Sequence, residues 1–515
     1  MSESSAARAP SLPRLPRASG VLLHPTSLPG PHGIGDLGEQ AYRFADYLRQ
    51  AEQRLWQIMP LGPTGYGDSP YAARSAFAGN PLLISLEVLR DEGLLQPSDM
   101  QGVPESATDR VNFGAVQAFK LPRLRLAFER FVARGGEQSP EYGAFRERTH
   151  RWLDDFTLFM GLLLEQEWRP WWEWPAELAR REPAALVTAE ARLAAEIGFQ
   201  RFQQYQFDRQ WSRLRAYANQ QDVHFVGDIP IFVAQDSADV WARPDQFKLD
   251  PAGRPLVVSG VPPDYYSPTG QLWGNPIYHW ERQASERFAW WVERFRAILG
   301  QVDVVRIDHF RGFQAAWEVP AGDETAEHGT WTDGPGAALF HAVIAALGPI
   351  PVVLEDLGLI TPEVESLREQ LGYPGMKVLH FAFGDDAGNP YLPHNYQANC
   401  VVYTGTHDND TSIGWFRGLA PAERGRVQRY LGRSGDDISH DLLRLALMSV
   451  ADTAIIPLQD VLGLGPEARM NVPGRPDGNW SWRVMPGQAT TTHADGLADL
   501  TRLYGRAGPW IVTPG

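Results

Sequence analysis

A single cysteine, Cys400, stands in a chain of 515 residues. No intrachain disulfide can form, and cysteine-ligated metal sites, which take several thiolates, are excluded. Within the strand-like run NCVVYTG, Cys400 reads as a small buried hydrophobe. Long apolar runs are missing too: none approaches the roughly 18 to 20 residues that a helix needs to cross a bilayer. Positive charge is short, with 47 Lys and Arg against 62 Asp and Glu and a net charge of −15. That balance argues against binding nucleic acid or an anionic membrane and leaves a neutral substrate open. No G-x-G-x-x-G follows a strand and no G-x-x-x-x-G-K-[ST] occurs, so a doubly wound nucleotide-binding sheet has no motif behind it. The opening MSESSAARAPSLPRLPRASG lacks the apolar core of a signal peptide. We expect a flexible arm over 1–17 and a cytoplasmic protein. The sequons at Asn409 and Asn479 favour the same compartment, because each lies inside a motif that a glycan would obstruct.

What the chain does have is 43% hydrophobic against 21% charged residues, which makes it globular rather than disordered. It also has 18 tryptophans. Several keep polar or Gly/Pro-rich company: Trp273 in QLWGNP, Trp331 in GTWTDGPG, Trp480 and Trp482 in NWSWR. Flat apolar faces with a polar edge suit ligands that are part apolar and part hydroxyl, such as sugars. The cluster EWRPWWEW, from Trp168 to Trp174, reads instead as core packing.

Eight apolar, β-rich runs recur, most followed by helical patterns. They are GVLLH (20–24), RLWQIMPL (54–61), VHFVGDIPIF (223–232), VDVVRID (302–308), PVVLEDL (351–357), KVLHFAF (377–383), CVVYTGT (400–406) and TAIIPLQD (453–460). Between the first two, Ala41, Phe44, Tyr47, Leu48 and Ala51 keep helical spacing. After the fifth, Thr361, Pro362 and Gly372 mark a helix start and stop. Near-continuous apolar strands alternating with helices indicate a parallel sheet covered by helices, and eight of them predict an α/β fold of (β/α)8 TIM-barrel type. The catalytic domain is expected over 18–515. The uneven spacing predicts a mostly helical inserted subdomain at about 80–205 and an aromatic, Pro-rich loop insertion at about 235–285. Residues 461–515 leave little room for a C-terminal β-sandwich, and none is expected.

In such barrels the polar residues at strand C-termini carry the chemistry. In QVDVVRIDHFRG, alternation sets Val302, Val304, Arg306 and Asp308 on one face. Strand 3 offers Asp228, strand 5 offers Glu355, and Asp408 appears in phase with Val402, Thr404 and Thr406. Such a rim repels phosphate and carboxylate substrates and stabilises an oxocarbenium-like transition state. Retaining glycosyl transfer needs an ionised nucleophile and a protonated acid about 5–5.5 Å apart. Arg306 stabilises ionised Asp308, and that charge should push the neighbouring Glu355 towards its protonated form. Taken singly, each acid also fits a rim ion pair or loop cap.

RIDHFRG, VLEDLG and GTHDNDT resemble the 4-α-glucanotransferases called amylomaltases or disproportionating enzymes, of the α-amylase clan. So do LLHPTSLPGPHGIGDLG, QIMPLGPTGYGDSPYAARSAFAGNP, GDIPIFVAQDSADVW, GVPPDYYSPTGQLWGNP and the final RMNVPG…NWSWR. The resemblance runs from about residue 18 to the end. It implies Asp308 as nucleophile, Glu355 as general acid/base and Asp408 as transition-state stabiliser. It further implies that Arg306, His309 and His407 surround the donor glucose, with Asp228 at the end of strand 3. Tyr71 stacks beneath that sugar, Trp273 rides on a loop that closes over the glucan, Tyr66 lies near a separate glucan contact, and Asn471 joins the substrate-binding set. Neither histidine reads as a metal ligand, because no second histidine sits at helix spacing. GDDAGNP, with Asp385, Asp386 and Asn389, offers calcium-type ligands but reads as a turn, and no metal or cofactor is expected. Donors are α-1,4-glucans and acceptors are glucose or maltooligosaccharides, served by a monomer. An α-amylase-like hydrolase using the same carboxylates is the alternative.

Overall fold

The computed structural model describes residues 13–103, 109–263, 267–475 and 477–514, with the backbone alone at Tyr66, Thr513 and Pro514. Eight parallel strands form one sheet: β1 (Ala18–Leu22), β2 (Leu55–Gln57), β3 (His224–Pro230), β4 (Val304–Asp308), β5 (Val352–Leu354), β6 (Gly375–Val378), β7 (Cys400–Tyr403) and β8 (Thr453–Pro457). Their spatial order is 5-4-3-2-1-8-7-6, so chain order runs around a ring. The seam between β5 and β6 is held by Leu354 N–H on the Pro374 carbonyl (2.9 Å) and Met376 N–H on Asp356 Oδ1 (2.7 Å). A side-chain carboxylate there does the work of a strand carbonyl. Each expected strand lies within or beside its apolar run. The sixth is offset: the strand comes earlier, and Leu379–Phe381 is a 3-10 turn.

The barrel interior is a layer of its own. Leu22, Leu55, Val226, Val304, Val353, Met376, Val378, Val401, Tyr403 and Ile455 fill it, drawn from all eight strands. Their alternates, such as Trp56, Val305, Ile307, Leu354 and Val402, pack outward against the helices. Two expectations about phase need correction. Val302 precedes β4 and packs with the outer layer, so the inward series is Val304, Arg306 and Asp308. Val402 also faces outward, so strand phase does not place Asp408; a loop does.

Helix Glu39–Gln50 buries Ala41, Phe44, Ala45 and Leu48. Helix Pro362–Leu371 starts after Thr361, although that side chain bonds no helix amide, and stops at Gly372 in the left-handed region (φ 69°). Between β2 and β3 lie helices Phe113–Ala133, Pro140–Glu165, Pro183–Arg192 and Ala194–Gln220. The expected boundary at 205 falls inside the last of these. That helix serves both regions, because Trp211 packs on Phe225 of β3 (4.8 Å between centroids). Buried Lys120 donates to Asp36 Oδ2 (3.1 Å) and the Leu82 carbonyl (2.7 Å), tying helix Phe113–Ala133 to the loop after β1. That loop holds Gly33–Gly38, which fits the letters G-x-G-x-x-G but is separated from β1 by residues 23–32.

The stretch 235–285, whose residues 264–266 lie outside the described ones, contributes strands Val257–Val261 and Gln271–Pro276. They join Ala315–Pro320 and Thr330–Asp333 in a four-stranded antiparallel sheet that alternation did not suggest. At the chain ends, Pro13–Arg14 pairs antiparallel with Thr513–Pro514, Leu15 is buried, and Arg17 donates to the carbonyls of Ser449, Ala451 and Tyr504. Residues 13–17 are therefore anchored rather than a free arm; 1–12 lie outside the described residues. After β8 the chain forms a long loop and helix Thr491–Leu503. Among the described residues no helix is long and apolar enough to cross a membrane.

Candidate active site

The site grows from the C-terminal ends of β3, β4 and β5. Asp228 is in phase with interior Val226, Arg306 and Asp308 with Val304, and Glu355 with Val353. Arg306 Nη1 donates to Asp228 Oδ2 at 2.5 Å and to Asp308 Oδ1 at 3.0 Å. Both arginine and Asp228 are buried, so this pairing is strong and depends on completeness: a removed partner leaves an uncompensated charge. Burial works against the Arg306 charge, but Asp228 and Asp308 outweigh it and hold the guanidinium well above its ordinary range. The Tyr71 hydroxyl donates to Asp228 Oδ2 (2.8 Å), and Asp228 Oδ1 is buried with no partner among the described residues. Burial pushes Asp228 up to about 7, against the opposing charge of Arg306.

Glu355 follows β5 directly, one step beyond the Leu354↔Ile307 pair and thus opposite Asp308. Its backbone N–H donates to Ile307 and its carbonyl accepts from Phe310. Its carboxyl is held at both oxygens: Oε2 accepts from His309 N–H (2.6 Å) and Oε1 from Leu357 N–H (2.9 Å). His309 adopts a left-handed backbone (φ 50°), a conformation uncommon outside glycine that here puts its amide on the acid. Burial, and then the Asp308 charge, raise Glu355 to about 8, against Arg306 and the two amides. Burial is thus a larger cause than the neighbouring charge from which the raised acid was expected.

Asp408 stands on the loop beyond β7. Asn409 Oδ1 accepts from Thr406 N–H (2.8 Å) and Thr406 Oγ1 accepts from Asp408 N–H (3.3 Å), folding THDN into a tight turn. Beneath the loop, buried Asp460 accepts from Ser412 N–H (2.8 Å) and Oγ (2.7 Å) and from Thr404 Oγ1. Asn471, expected in the substrate-binding set, donates from Nδ2 to Asp408 Oδ1 (2.6 Å). Tyr71 links these groups: its hydroxyl reaches Asp228, which shares Arg306 with Asp308, and its ring stacks on His407, whose Nε2 lies 3.4 Å from Asp408 Oδ1.

Aromatic rings line the site. Tyr71 stacks on His407 (5.3 Å, 15°), and Trp480 packs against both at 5.7 and 5.8 Å. Trp273, 38% exposed, meets His309 edge-on at 4.6 Å. Burial lowers both histidines, His309 to about 4, so both are neutral rings at neutral pH. The side chain of Tyr66 lies outside the described residues. In the Trp168–Trp174 cluster, Trp171 and Trp174 are buried as expected, whereas Trp168 is exposed. Asp385 and Asp386 accept turn hydrogen bonds from Asn389 Nδ2 and Gly388 N–H. Among the described residues no group of three or more His, Cys, Asp or Glu is placed to hold a metal. Trp480, one of the tryptophans whose polar company suggested sugar, belongs to the site's surroundings; Arg469 does too but was not among the expected residues, its signal being its place in RMN beside Asn471. A carboxyl kept protonated beside an arginine-paired carboxylate is the arrangement for proton donation and nucleophilic attack at an acetal.

Comparisons with known proteins give the family. A family model described as 4-alpha-glucanotransferase matches residues 23–489. A 4-alpha-glucanotransferase of Thermus thermophilus is 51% identical over 93% of this chain and 97% of its own length. One from Synechocystis sp. is 50% identical over 95% and 98%. The solved amylomaltase of Streptococcus agalactiae in complex with acarbose superposes with a TM-score of 0.92, at 38% identity, over 95% of this chain and 99% of that one. Half the residues shared along nearly the whole length, on the same barrel, leave one reading: the chain belongs to the 4-α-glucanotransferase family and is an enzyme acting on α-1,4-glucans.

Proposed function

We propose that this enzyme moves a segment of an α-1,4-glucan to the 4-hydroxyl of glucose or a maltooligosaccharide by retaining double displacement, with Asp308 as nucleophile. Asp308 attacks the anomeric carbon while Glu355 gives its proton to the departing glycosidic oxygen, leaving a covalent glucosyl-enzyme and a shorter glucan. The acceptor hydroxyl then yields its proton to Glu355 and attacks the same carbon, breaking its bond to Asp308 and restoring the Asp308 carboxylate, the protonated Glu355 and the original anomeric configuration. Where the acceptor is the far end of the bound chain, the product is a cyclic glucan. Asp408 stabilises the positive charge that develops at the ring. Tyr71, Arg306, His309 and His407 surround the donor glucose, and Asp228 anchors Arg306 and Tyr71. Trp273 covers the glucan, shielding the glucosyl-enzyme from water so that a sugar is the better acceptor.

The observation that carries this reading is the opposition of the two carboxyls: Glu355 held protonated to about 8, directly across from Asp308 and its arginine. We extend the proposal to a cytoplasmic monomer with no cofactor. The test is incubation with maltotriose and separation of the products. Glucose plus a ladder of longer maltooligosaccharides is expected; products no longer than the donor, with rising reducing ends, would mean a hydrolase. Asp308→Asn should keep the fold and abolish turnover, and an active variant would remove Asp308 from the nucleophile role.

A further inference from the structure

We propose that Asn471 is a positioning residue that acts through Asp408, fixing one oxygen of that carboxylate so that the other faces the sugar. The proposal rests on the reading of Asp408 as the carboxylate that stabilises the transition state.

Asp408 is the one of the three carboxylates that no barrel strand holds. Arg306 bonds Asp228 and Asp308, and two backbone amides hold Glu355. Asp408 sits on a loop with its side chain 44% exposed. Left alone, such a side chain samples several rotamers, and a catalytic charge in the wrong rotamer stabilises nothing. Its Oδ1 accepts from Asn471 Nδ2 at 2.6 Å and lies 3.4 Å from His407 Nε2; Oδ2 has no partner among the described residues. One oxygen is tethered and the other is left to the substrate.

The tether is itself anchored. Asn471 N–H donates to the His407 carbonyl (3.1 Å), and its own carbonyl accepts from Arg469 Nε (2.8 Å). Arg469 Nη2 in turn donates to the Asp408 carbonyl (2.8 Å). Asp408 is therefore gripped at backbone and side chain by one short segment of the chain. That segment is pinned further along, where Trp480 N–H donates to the Met470 carbonyl (2.8 Å) and its ring packs on Tyr71 and His407. Trp480 has a left-handed backbone (φ 62°), a strained state for a bulky residue that persists only where its surroundings impose it. The residue type also fits. An amide orients the carboxylate without adding a charge, whereas Lys or Arg at this place would neutralise the anion that the developing cation needs.

The experiment compares kcat and KM for maltotriose disproportionation in wild type, Asn471→Ala, Asn471→Asp and Asp408→Asn, with Tm for each. Loss of a hydrogen bond to a charged group predicts a fall in kcat of roughly 10- to 100-fold for Asn471→Ala, with KM changed by less than about 2-fold. Asn471→Asp keeps the size and backbone bonds but replaces the donor with a second anion; it should fall at least as far, and it carries the test if the alanine variant fails to fold. With α-maltosyl fluoride, the double variant Asp408→Asn/Asn471→Ala should be no slower than Asp408→Asn, because Asn471 has nothing left to orient. Three outcomes overturn the proposal: kcat within about 3-fold of wild type in both Asn471 variants, a raised KM at unchanged kcat (a direct sugar contact), or full additivity in the double variant. Transfer by wild type with inactive Asp408→Asn and unimpaired Asn471 variants defeats this inference alone. Turnover retained in Asp408→Asn defeats the reading of Asp408 beneath it.

Discussion

Glu355→Gln isolates the effect of holding an acid protonated in the barrel mouth. A glutamic acid in an unfolded chain gives up its proton near 4.5; in this fold it does so near 8. Between those values the folded state binds one proton more than the unfolded state, so stability is fully present below about 4.5 and is lost as pH rises towards 8. The full shift corresponds to at most about 5 kcal/mol. Because Glu355 keeps a partly solvent-facing edge, about half of that is the expected effect. Glutamine does not titrate, so its stability carries no such slope. It has one carbonyl oxygen for two backbone donors, His309 and Leu357, and leaves one of them facing an NH2 group. That costs about 1–3 kcal/mol at every pH. A chain of 515 residues has an unfolding entropy near 1.1 kcal/mol per degree, so each kcal/mol moves Tm by about 1 °C. Calorimetry of both proteins from pH 5 to 8.5 should therefore find wild type ahead by about 1–3 °C at the acid end, with that lead shrinking by about 2–3 °C and vanishing or reversing at the alkaline end. A lead that stays constant across this range would refute the raised acid. The same proton sets the alkaline limb of kcat/KM, which should fall with an apparent value near 8 in wild type. Glu355→Gln should lose activity on maltotriose and keep part of it on a fluoride donor, whose leaving group needs no proton.

Tyr71→Phe removes the hydroxyl that donates to Asp228, leaving that buried carboxylate with Arg306 alone; kcat/KM on maltotriose should drop by roughly 10- to 100-fold, and a change under 3-fold would deny the contact a role. Lys120→Met strands buried Asp36, which among the described residues hydrogen-bonds only Lys120 and the Gly38 N–H and none of the site's carboxylates or arginine, so Tm should fall by about 3–5 °C while kcat measured below the transition stays at the wild-type level. On the proposal that Trp273, whose exposed indole meets His309 edge-on, covers the glucan, Trp273→Ala should raise KM for long donors and increase the share of reducing ends released relative to glucose transferred; an unchanged hydrolysis-to-transfer ratio would remove it from that role.

What could be read in the sequence follows from what is local. A parallel strand buried on both faces must be an apolar run, and seven of the eight strands announced themselves that way, the sixth only through its last two residues. Where a strand keeps its phase to the rim, alternation also aims the side chain correctly: Val226 to Asp228, Val304 to Arg306 and Asp308, Val353 to Glu355. Alternation fails where the strand stops. β7 ends at Tyr403, and Asp408 is aimed by the Asn409 turn, the Asp460 network and the grip of 469–471, so the strand phase that first singled it out does not place it. The antiparallel sheet escaped for a related reason. Val257–Val261 pairs with Ala315–Pro320 from another loop across an intervening barrel strand, and its runs carry the glycines, prolines and polar residues that mark loops. Pairings of that range leave no period to read. On the proposed assignment, the three carboxylates therefore divide in two. Asp308 ends one barrel strand and Glu355 directly follows its neighbour, the two joined by backbone hydrogen bonds. Asp408, proposed to meet a charge spread over a ring, is held by a chain segment from near the far end of the sequence. If loop and barrel do separate work in this way, disturbing the loop should slow the chemistry without moving the acid's proton, and the alkaline limb set by Glu355 should survive Asn471→Ala unchanged.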